Sequence, residues 1–247
     1  VEAVVVETTP LPAVLDLEAA IKPGAPAARV RALTGAMEGS AAMHVEAASG
    51  EEEAAAPAAS EYSGNAVGPH HQEHGDTAAA LAGCEAVVKG TFRTSWVHQT
   101  YMEPQGALAI PDGTGGVTIH SSTQGAFYVR GMVAKLYGLE VDKVRVVGEP
   151  LGGAFGGKFN LIDPLVTGVA LAVGRPVKLH LTRSEDFASG MPASATIIEL
   201  ELGGTREGGL VAFRSRILLD QGAFGDWAMD GAVPVMIGGP YRWQAWD

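Results

Sequence analysis

A glycine-rich stretch between a predicted strand and a predicted helix limits the folds open to this chain more than any other feature. Its residues are Gly152-Gly153-Ala154-Phe155-Gly156-Gly157-Lys158. Glycine adopts positive φ readily and lets other groups approach the backbone closely. Backbone N–H groups that precede a helix form an anion-binding site. The stretch is therefore predicted to be a loop, called the glycine loop below, that binds oxyanions or metal-bound oxo groups.

Hydrophobic periodicity predicts alternating strands and helices, with antiparallel hairpins among the strands. This combination favours an α+β fold with mixed β-sheets and packed helices over a doubly wound parallel sheet. The predicted strands span residues 1–7, 86–98, 108–110, 117–121, 144–147, 176–182, 196–202 and 210–220. The predicted helices span residues 15–21, 77–82 and 161–173, together with a helix that Ser122 or Thr123 caps and Gly138 ends.

Residues 25–75 differ in composition from the rest of the chain. An Ala/Glu tract at residues 50–59 has no large apolar side chains, so it cannot offset the entropy lost on ordering. We interpret this region as a linker. His70, His71 and His74 near its end could be metal ligands, but no Cys or carboxylate completes a recognisable ligand set.

Charge and cysteine content exclude several classes of protein. The net charge is -11 and no Lys/Arg cluster is present, which argues against nucleic-acid binding. No apolar run reaches the roughly 18 residues of a membrane span. Cys84 is the single cysteine, so the chain can form no internal disulfide and cannot hold an iron–sulfur cluster by itself. We interpret Cys84 as a small buried hydrophobic residue in a reducing, cytoplasmic compartment.

The glycine loop also matches most of a phosphate-binding P-loop. Gly152, Gly157 and Lys158 have the required spacing, but Phe159 stands where the Ser/Thr ligand of Mg²⁺ belongs. A phosphate- or nucleotide-binding module is therefore a disfavoured alternative. A turn that only packs a helix on a strand is another.

Seven short motifs in order resemble the xanthine dehydrogenase/aldehyde oxidase family. The resemblance is strong over residues 76–243 and weaker over residues 1–23. The motifs are Tyr101-Met102-Glu103-Pro104, Ser121-Ser122-Thr123-Gln124, the glycine loop, Gly174-Arg175-Pro176-Val177-Lys178-Leu179, Thr182-Arg183-Ser184-Glu185, Asp220-Gln221-Gly222-Ala223-Phe224 and Gly239-Pro240-Tyr241.

The resemblance implies a domain organisation and a cofactor site. Residues 76–247 would form the first molybdenum-cofactor-binding domain, residues 1–24 the tail of a preceding small α/β domain, and residues 25–75 the linker. Gln124 matches the family glutamine that hydrogen-bonds an oxo group on molybdenum. Phe155 matches the residue whose backbone contacts the molybdenum site, and Gly153, Ala154 and Gly156 would let the cofactor approach. No residue of this chain is implied to ligate the metal directly.

The resemblance further implies an enzyme that hydroxylates an aldehyde or an N-heterocycle with water as the oxygen source. Its cofactor would be molybdenum–molybdopterin in a dinucleotide form, with 2Fe-2S clusters and FAD on partner subunits. The general-base glutamate and the rest of the large subunit are expected beyond Asp247, so this chain alone is expected to be inactive. A non-catalytic fragment or an assembly module of such a subunit is the alternative.

Two departures from the family pattern narrow the range of expected substrates. Some purine-oxidising relatives carry a Glu directly after the loop lysine, where this chain has Phe159. Carbon monoxide dehydrogenases of the superfamily have an active-site Cys with copper, whereas no Cys follows Phe159 here. Both departures disfavour those substrates.

Several other polar residues are interpreted as structural. Glu103 is expected to be a buried carboxylate that organises backbone or Arg partners. Arg183 and Glu185 are expected to form structural or subunit-facing ion pairs. Three histidines are expected to be satisfied residues on strands: His98, His120 and His180.

Overall fold

The computed structural model of the protein describes residues 5, 7–10, 12–27, 63–66, 71–159, 162–222, 233 and 236–247. The chain divides into two compact units, one of residues 1–37, 47–93 and 196–247 and one of residues 38–46 and 94–195. The Ala/Glu tract, His70 and most of the predicted strand 1–7 lie outside the described residues. The predicted boundaries at residues 24 and 75 remain predictions.

The first unit is built on a four-stranded sheet. Its elements are α1 (Leu17–Ala20), α2 (Thr77–Ala82), β1 (Ala86–Arg93), β6 (Thr196–Gly204), β7 (Leu210–Leu219) and β8 (Ala245–Trp246). The strand order is β1-β6-β7-β8. Strands β1, β6 and β7 are antiparallel, whereas β8 runs parallel to β7. The Asp76 side chain caps helix α2 by accepting the Ala79 N–H at 2.9 Å, and Leu81 of that helix is buried with Ala212 and Ala245.

The second unit holds another four-stranded sheet. Its elements are β2 (Gly106–Pro111), β3 (Val117–Ser121), α3 (Ala126–Tyr137), β4 (Val144–Gly148), α4 (Asp163–Val173), β5 (Val177–His180) and α5 (Arg183–Ser189). The strand order is β4-β3-β2-β5. Strands β3 and β4 are parallel, and the other pairs are antiparallel. Mixed sheets with packed helices confirm the predicted α+β class.

The core of the second unit lies where α3 and α4 pack on this sheet. Ile119 of β3, Val129 of α3 and Val166 of α4 are all buried in one apolar cluster. Helices α3 and α4 end at Gly138 and Gly174, which adopt left-handed φ values of 63° and 64°. A glycine with positive φ ends a helix without the steric cost of a Cβ, so the two predicted helix ends are confirmed.

Helix α3 begins later than the sequence suggests. Its N-cap is Gly125, with no side-chain capping bond, so the predicted cap at Ser122 or Thr123 is wrong. Both hydroxyls are used elsewhere. Ser122 Oγ bonds the backbone of Gly106, and Thr123 Oγ1 donates to the carbonyl oxygen of Phe159 at 2.7 Å.

Two further local predictions are corrected by the structure, and it contains one helix that was not predicted from the sequence. Strand β1 ends at Arg93, so His98 lies in a loop rather than on a strand. Residues 183–189 form helix α5, because Thr182 and Glu185 make a reciprocal capping box. Cys84 is only partly buried, and its Sγ lies 3.1 Å from the carbonyl oxygen of Ala80. No helix in the described part of the chain is long and apolar enough to cross a membrane.

Asp163, at the start of α4, is a buried carboxyl whose ionisation opposes folding. It is 3% exposed, and its Oδ1 has no hydrogen-bond partner among the described residues. Burial raises the pKa of Asp163, and the Ser121 hydroxyl and the backbone N–H of Asp163 itself only partly oppose this effect. A raised folded-state pKa means that stability is highest at low pH and is lost as the pH rises through that pKa.

We therefore expect Asp163→Asn to raise Tm at pH 8, because the variant has no charge to bury. The gain should shrink as the pH is lowered from 8, because the raised pKa lets the wild-type carboxyl take up its proton at a higher pH in the folded chain than in the unfolded chain. Thermal unfolding of both proteins across this range measures the difference. A difference independent of pH would contradict the assignment.

Candidate functional site

The glycine loop and Gln124 are brought together by the two parallel strands of the second unit. The loop follows β4, and Gln124 lies three residues after the end of β3. Strands β3 and β4 are paired, with Ser121 opposite Gly148. Because the carboxyl ends of paired parallel strands lie at the same edge of a sheet, both segments leave the sheet at one place.

The side chain of Gln124 is held by the backbone of the glycine loop. Its Oε1 accepts the Gly156 N–H at 3.0 Å and the Lys158 N–H at 3.2 Å. Both partners are donors, so the contacting atom of the amide must be the oxygen. Gln124 is exposed, and none of the described residues accepts a hydrogen bond from its Nε2.

The tip of the glycine loop is a tight turn. The Gly157 N–H donates to the Ala154 carbonyl oxygen at 2.9 Å, and both central residues have positive φ, 51° at Phe155 and 91° at Gly156. Positive φ is uncommon for a bulky residue such as phenylalanine and is frequent at functional sites. Phe155 is 76% exposed.

The loop uses some of its N–H groups internally and leaves others available. Those of Gly156 and Lys158 are used by Gln124 Oε1, and that of Gly157 by the turn. None of the described residues accepts the N–H groups of Gly153, Ala154 or Phe155. Three consecutive N–H groups of the loop therefore have no acceptor among the described residues, and Ala154, the middle residue of the three, is buried.

Gly152 and Gly157 must be glycines because neighbouring side chains lie too close to their backbone to leave room for a Cβ. A Cβ on Gly152 would lie 2.6 Å from the Cβ of Glu103. A Cβ on Gly157 would lie 2.8 Å from Gln99 Oε1 and 2.9 Å from a ring carbon of Tyr101. By contrast, a Cβ on Gly156 would meet no atom within 4 Å, so that part of the loop faces open space.

Lys158 does not occupy the position of a phosphate-binding lysine. Its side chain is 0% exposed, and its Nζ lies 2.7 Å from Glu103 Oε2. The Glu103 side chain is 34% exposed, so the expectation that it is a buried carboxylate is wrong. The ammonium also lies 4.6 Å from the ring centroid of Tyr101. A P-loop lysine must reach the phosphates of its ligand, and this one is buried and already paired with a carboxylate. The geometry thus argues against the nucleotide-binding alternative.

A buried hydrogen-bond network contacts the glycine loop at the Gly157 carbonyl oxygen. The Tyr101 hydroxyl donates to Asp186 Oδ1 at 3.0 Å and accepts from Gln105 Nε2 at 3.0 Å, and Arg183 pairs with Asp186 at 3.0 Å. Gln105 Nε2 also donates to the Gly157 carbonyl oxygen at 3.3 Å. Burial raises the pKa of Tyr101 to about 12, and both the hydrogen bond to Asp186 and the negative charge of Asp186 contribute to this rise. Tyr101 therefore remains protonated at neutral pH.

The remaining polar residues singled out from the sequence are dispersed. His120 pairs with Glu149 at 2.8 Å. His98 Nδ1 accepts the Thr100 N–H at 3.0 Å, but its Nε2 is buried with no hydrogen-bond partner among the described residues, so the expectation that all hydrogen-bonding groups of His98 are satisfied is wrong. Glu185 caps α5, and its hydrogen bonds with Thr182 lower its pKa. Among the described residues, no group of His, Cys, Asp and Glu is arranged to hold a metal ion. Sequence reasoning missed the roles of Tyr101 and Asp186, which no local pattern signals.

Comparison with known proteins identifies relatives of this chain. Residues 59–247 match the sequence profile of a family described as "Molybdopterin cofactor-binding domain". The chain is 35% identical over 173 residues to a probable xanthine dehydrogenase subunit from Bacillus subtilis, a match covering 68% of this chain and 23% of that protein. These matches confirm the resemblance drawn from the sequence motifs.

Solved structures of molybdenum enzymes share the architecture. Aldehyde oxidoreductase from Desulfovibrio gigas matches with a TM-score of 0.54 and 30% identity over 62% of this chain and 17% of that chain. Reconstituted CO dehydrogenase from Oligotropha carboxidovorans matches with a TM-score of 0.56 and 26% identity, covering 71% of this chain and 23% of that chain. The chain therefore spans less than a quarter of the length of these relatives.

The close approach of Glu103 to the loop gives a direct test of the geometry. We expect Gly152→Ala to destabilise the protein by about 1–3 kcal/mol, because the added methyl collides with the Glu103 side chain. Gly148→Ala is the matched control, since a Cβ there meets nothing within 4 Å. Chemical denaturation of both variants measures the effect, and equal stability of the two would show that the contact is absent.

Proposed function

Because this chain belongs to the molybdopterin cofactor-binding domain family, we propose that it forms one wall of the molybdenum cofactor site in the large subunit of a molybdenum hydroxylase. The reaction proposed is hydroxylation of an aldehyde or an N-heterocycle with water as the oxygen source. The observation that supports this most strongly is the outward-facing Gln124 amide, whose oxygen is held by the Gly156 and Lys158 N–H groups.

The available donors fit the proposed cofactor. Gln124 Nε2 would donate to an acceptor atom of the bound group, and the N–H groups of Gly153, Ala154 and Phe155 would line the same wall. All four are neutral donors, which suit an oxygen-rich group without adding a cation. Molybdenum with its pterin dithiolene supplies the redox chemistry of such enzymes, and the protein positions and tunes it.

The structure around these donors favours a rigid wall. Gln124 is fixed by its side chain and by its backbone N–H, which donates to the Lys158 carbonyl oxygen at 2.8 Å. Gly156 leaves open space in front of the loop. Donors that are already oriented cost little reorganisation when they meet a bound group.

We further propose that the cofactor is a dinucleotide form of molybdenum–molybdopterin. Electrons leaving the molybdenum would pass to 2Fe-2S clusters and FAD on partner subunits, and the complete assembly would be cytoplasmic. The rest of the large subunit would supply the general-base glutamate and most substrate contacts. Accordingly, we expect no turnover from the 247-residue chain alone.

The intact protein provides the primary test of this function. Purified intact subunit with its partners should contain molybdenum, measured by mass spectrometry, and should oxidise aldehydes or N-heterocycles with incorporation of ¹⁸O from labelled water. The isolated 247-residue chain should show no turnover in the same assay. Molybdenum-free intact protein without turnover would instead support a non-catalytic assembly module.

The donor role of Gln124 is tested by two substitutions in the intact enzyme. Gln124→Glu keeps an oxygen for the two loop N–H groups but removes the donor, and Gln124→Ala removes both. We expect kcat to fall by about 10–100-fold in each, the loss for one hydrogen bond to a charged group, without unfolding of the domain. Wild-type turnover in Gln124→Ala would remove Gln124 from the site.

A further inference from the structure

Glu103 contacts both ends of the glycine loop. Its backbone N–H donates to the Gly152 carbonyl oxygen at 3.3 Å, and its Oε2 accepts the Gly152 N–H at 3.0 Å. The same Oε2 atom accepts a hydrogen bond from Lys158 Nζ at 2.7 Å. One carboxylate oxygen therefore joins the first residue of the loop to the last.

The Glu103 carboxylate stabilises the buried positive charge of Lys158. The Lys158 side chain is 0% exposed, and Glu103 is its ion-pair partner among the described residues. A buried charge that loses its partner is strongly unfavourable. Burial favours a higher pKa for Glu103, but the hydrogen bonds from Lys158 and Gly152 and the charge of Lys158 outweigh it, so the pKa lies below its usual value. Glu103 is thus ionised at neutral pH and neutralises Lys158.

Lys158 in turn orients Gln124 through its backbone. The Lys158 N–H donates to Gln124 Oε1 at 3.2 Å, and the Lys158 carbonyl oxygen accepts the Gln124 N–H at 2.8 Å. A shift of the lysine to relieve an unpaired buried charge would move both of these bonds. The contacts therefore run from Glu103 through Lys158 to the amide that faces the cofactor.

We propose that Glu103 is a positioning residue for the molybdenum site, which orients the Gln124 amide by keeping Lys158 neutralised inside the glycine loop. The inference rests on the proposed function and goes beyond it, because Glu103 itself donates nothing to the cofactor. A carboxylate that only stabilised the fold would affect unfolding and leave the cofactor environment unchanged.

A double-mutant cycle in the intact enzyme tests whether Glu103 acts through Lys158. Glu103→Gln keeps the size of the side chain and removes its charge, and Lys158→Met removes the buried cation. We expect Glu103→Gln to lower kcat per bound molybdenum by about tenfold or more in the wild-type background and by less than about threefold in the Lys158→Met background. The electron paramagnetic resonance spectrum of the reduced molybdenum should change in the single Glu103→Gln variant.

Glu149→Gln is the matched control, because Glu149 is a partly exposed carboxylate paired with His120 in the same unit. It should retain the wild-type spectrum and kcat per molybdenum. Equal effects of Glu103→Gln in both backgrounds, or a Glu103→Gln enzyme identical to the control in spectrum and kcat, would overturn the proposal. If Glu103→Gln alone fails to fold, the comparison is made in the Lys158→Met background, where a change of more than about threefold in kcat per molybdenum on adding Glu103→Gln overturns the proposal.

The wild-type enzyme separates this inference from the proposed function. Wild-type protein without molybdenum or turnover would contradict the proposed function itself. Active wild-type enzyme with additive effects of Glu103→Gln and Lys158→Met would contradict the role of Glu103 alone.

Discussion

The paired hydrogen bonds from Gly156 and Lys158 to Gln124 Oε1 are the interaction on which the proposed site depends. They determine which end of the amide faces outward, and they hold the glycine loop against the segment that precedes α3. The parallel pairing of β3 and β4 makes them possible, because it places both segments at one edge of the sheet. A single register shift between these strands would separate them.

The loop is built so that its charge is balanced internally. Lys158 is neutralised by Glu103, whose carboxylate lies 2.7 Å from its ammonium. A loop with the spacing of a phosphate-binding motif therefore lacks the free lysine with which such a motif reaches its ligand. A phosphate-binding lysine must be directed toward the ligand, whereas Lys158 is directed into the protein. The spacing of the motif does not determine which of these directions the lysine takes.

Sequence reasoning predicted the features that depend on local pattern. The glycine ends of α3 and α4, the strand β3 and the mixed sheets all follow from periodicity and glycine positions. The start of α3 was predicted wrongly, because the Ser122 and Thr123 hydroxyls bond residues distant in sequence. The positive φ of Phe155 and the burial of Lys158 were likewise beyond sequence, since both result from tertiary contacts that no spacing encodes.

The most direct test of this account is the structure of the intact enzyme with its cofactor bound. We predict that Gln124 Nε2 lies within about 3.2 Å of an acceptor atom of the molybdenum cofactor, with Oε1 still bonded to the loop N–H groups. A cofactor contacted through Gln124 Oε1, or one bound away from the glycine loop, would contradict it.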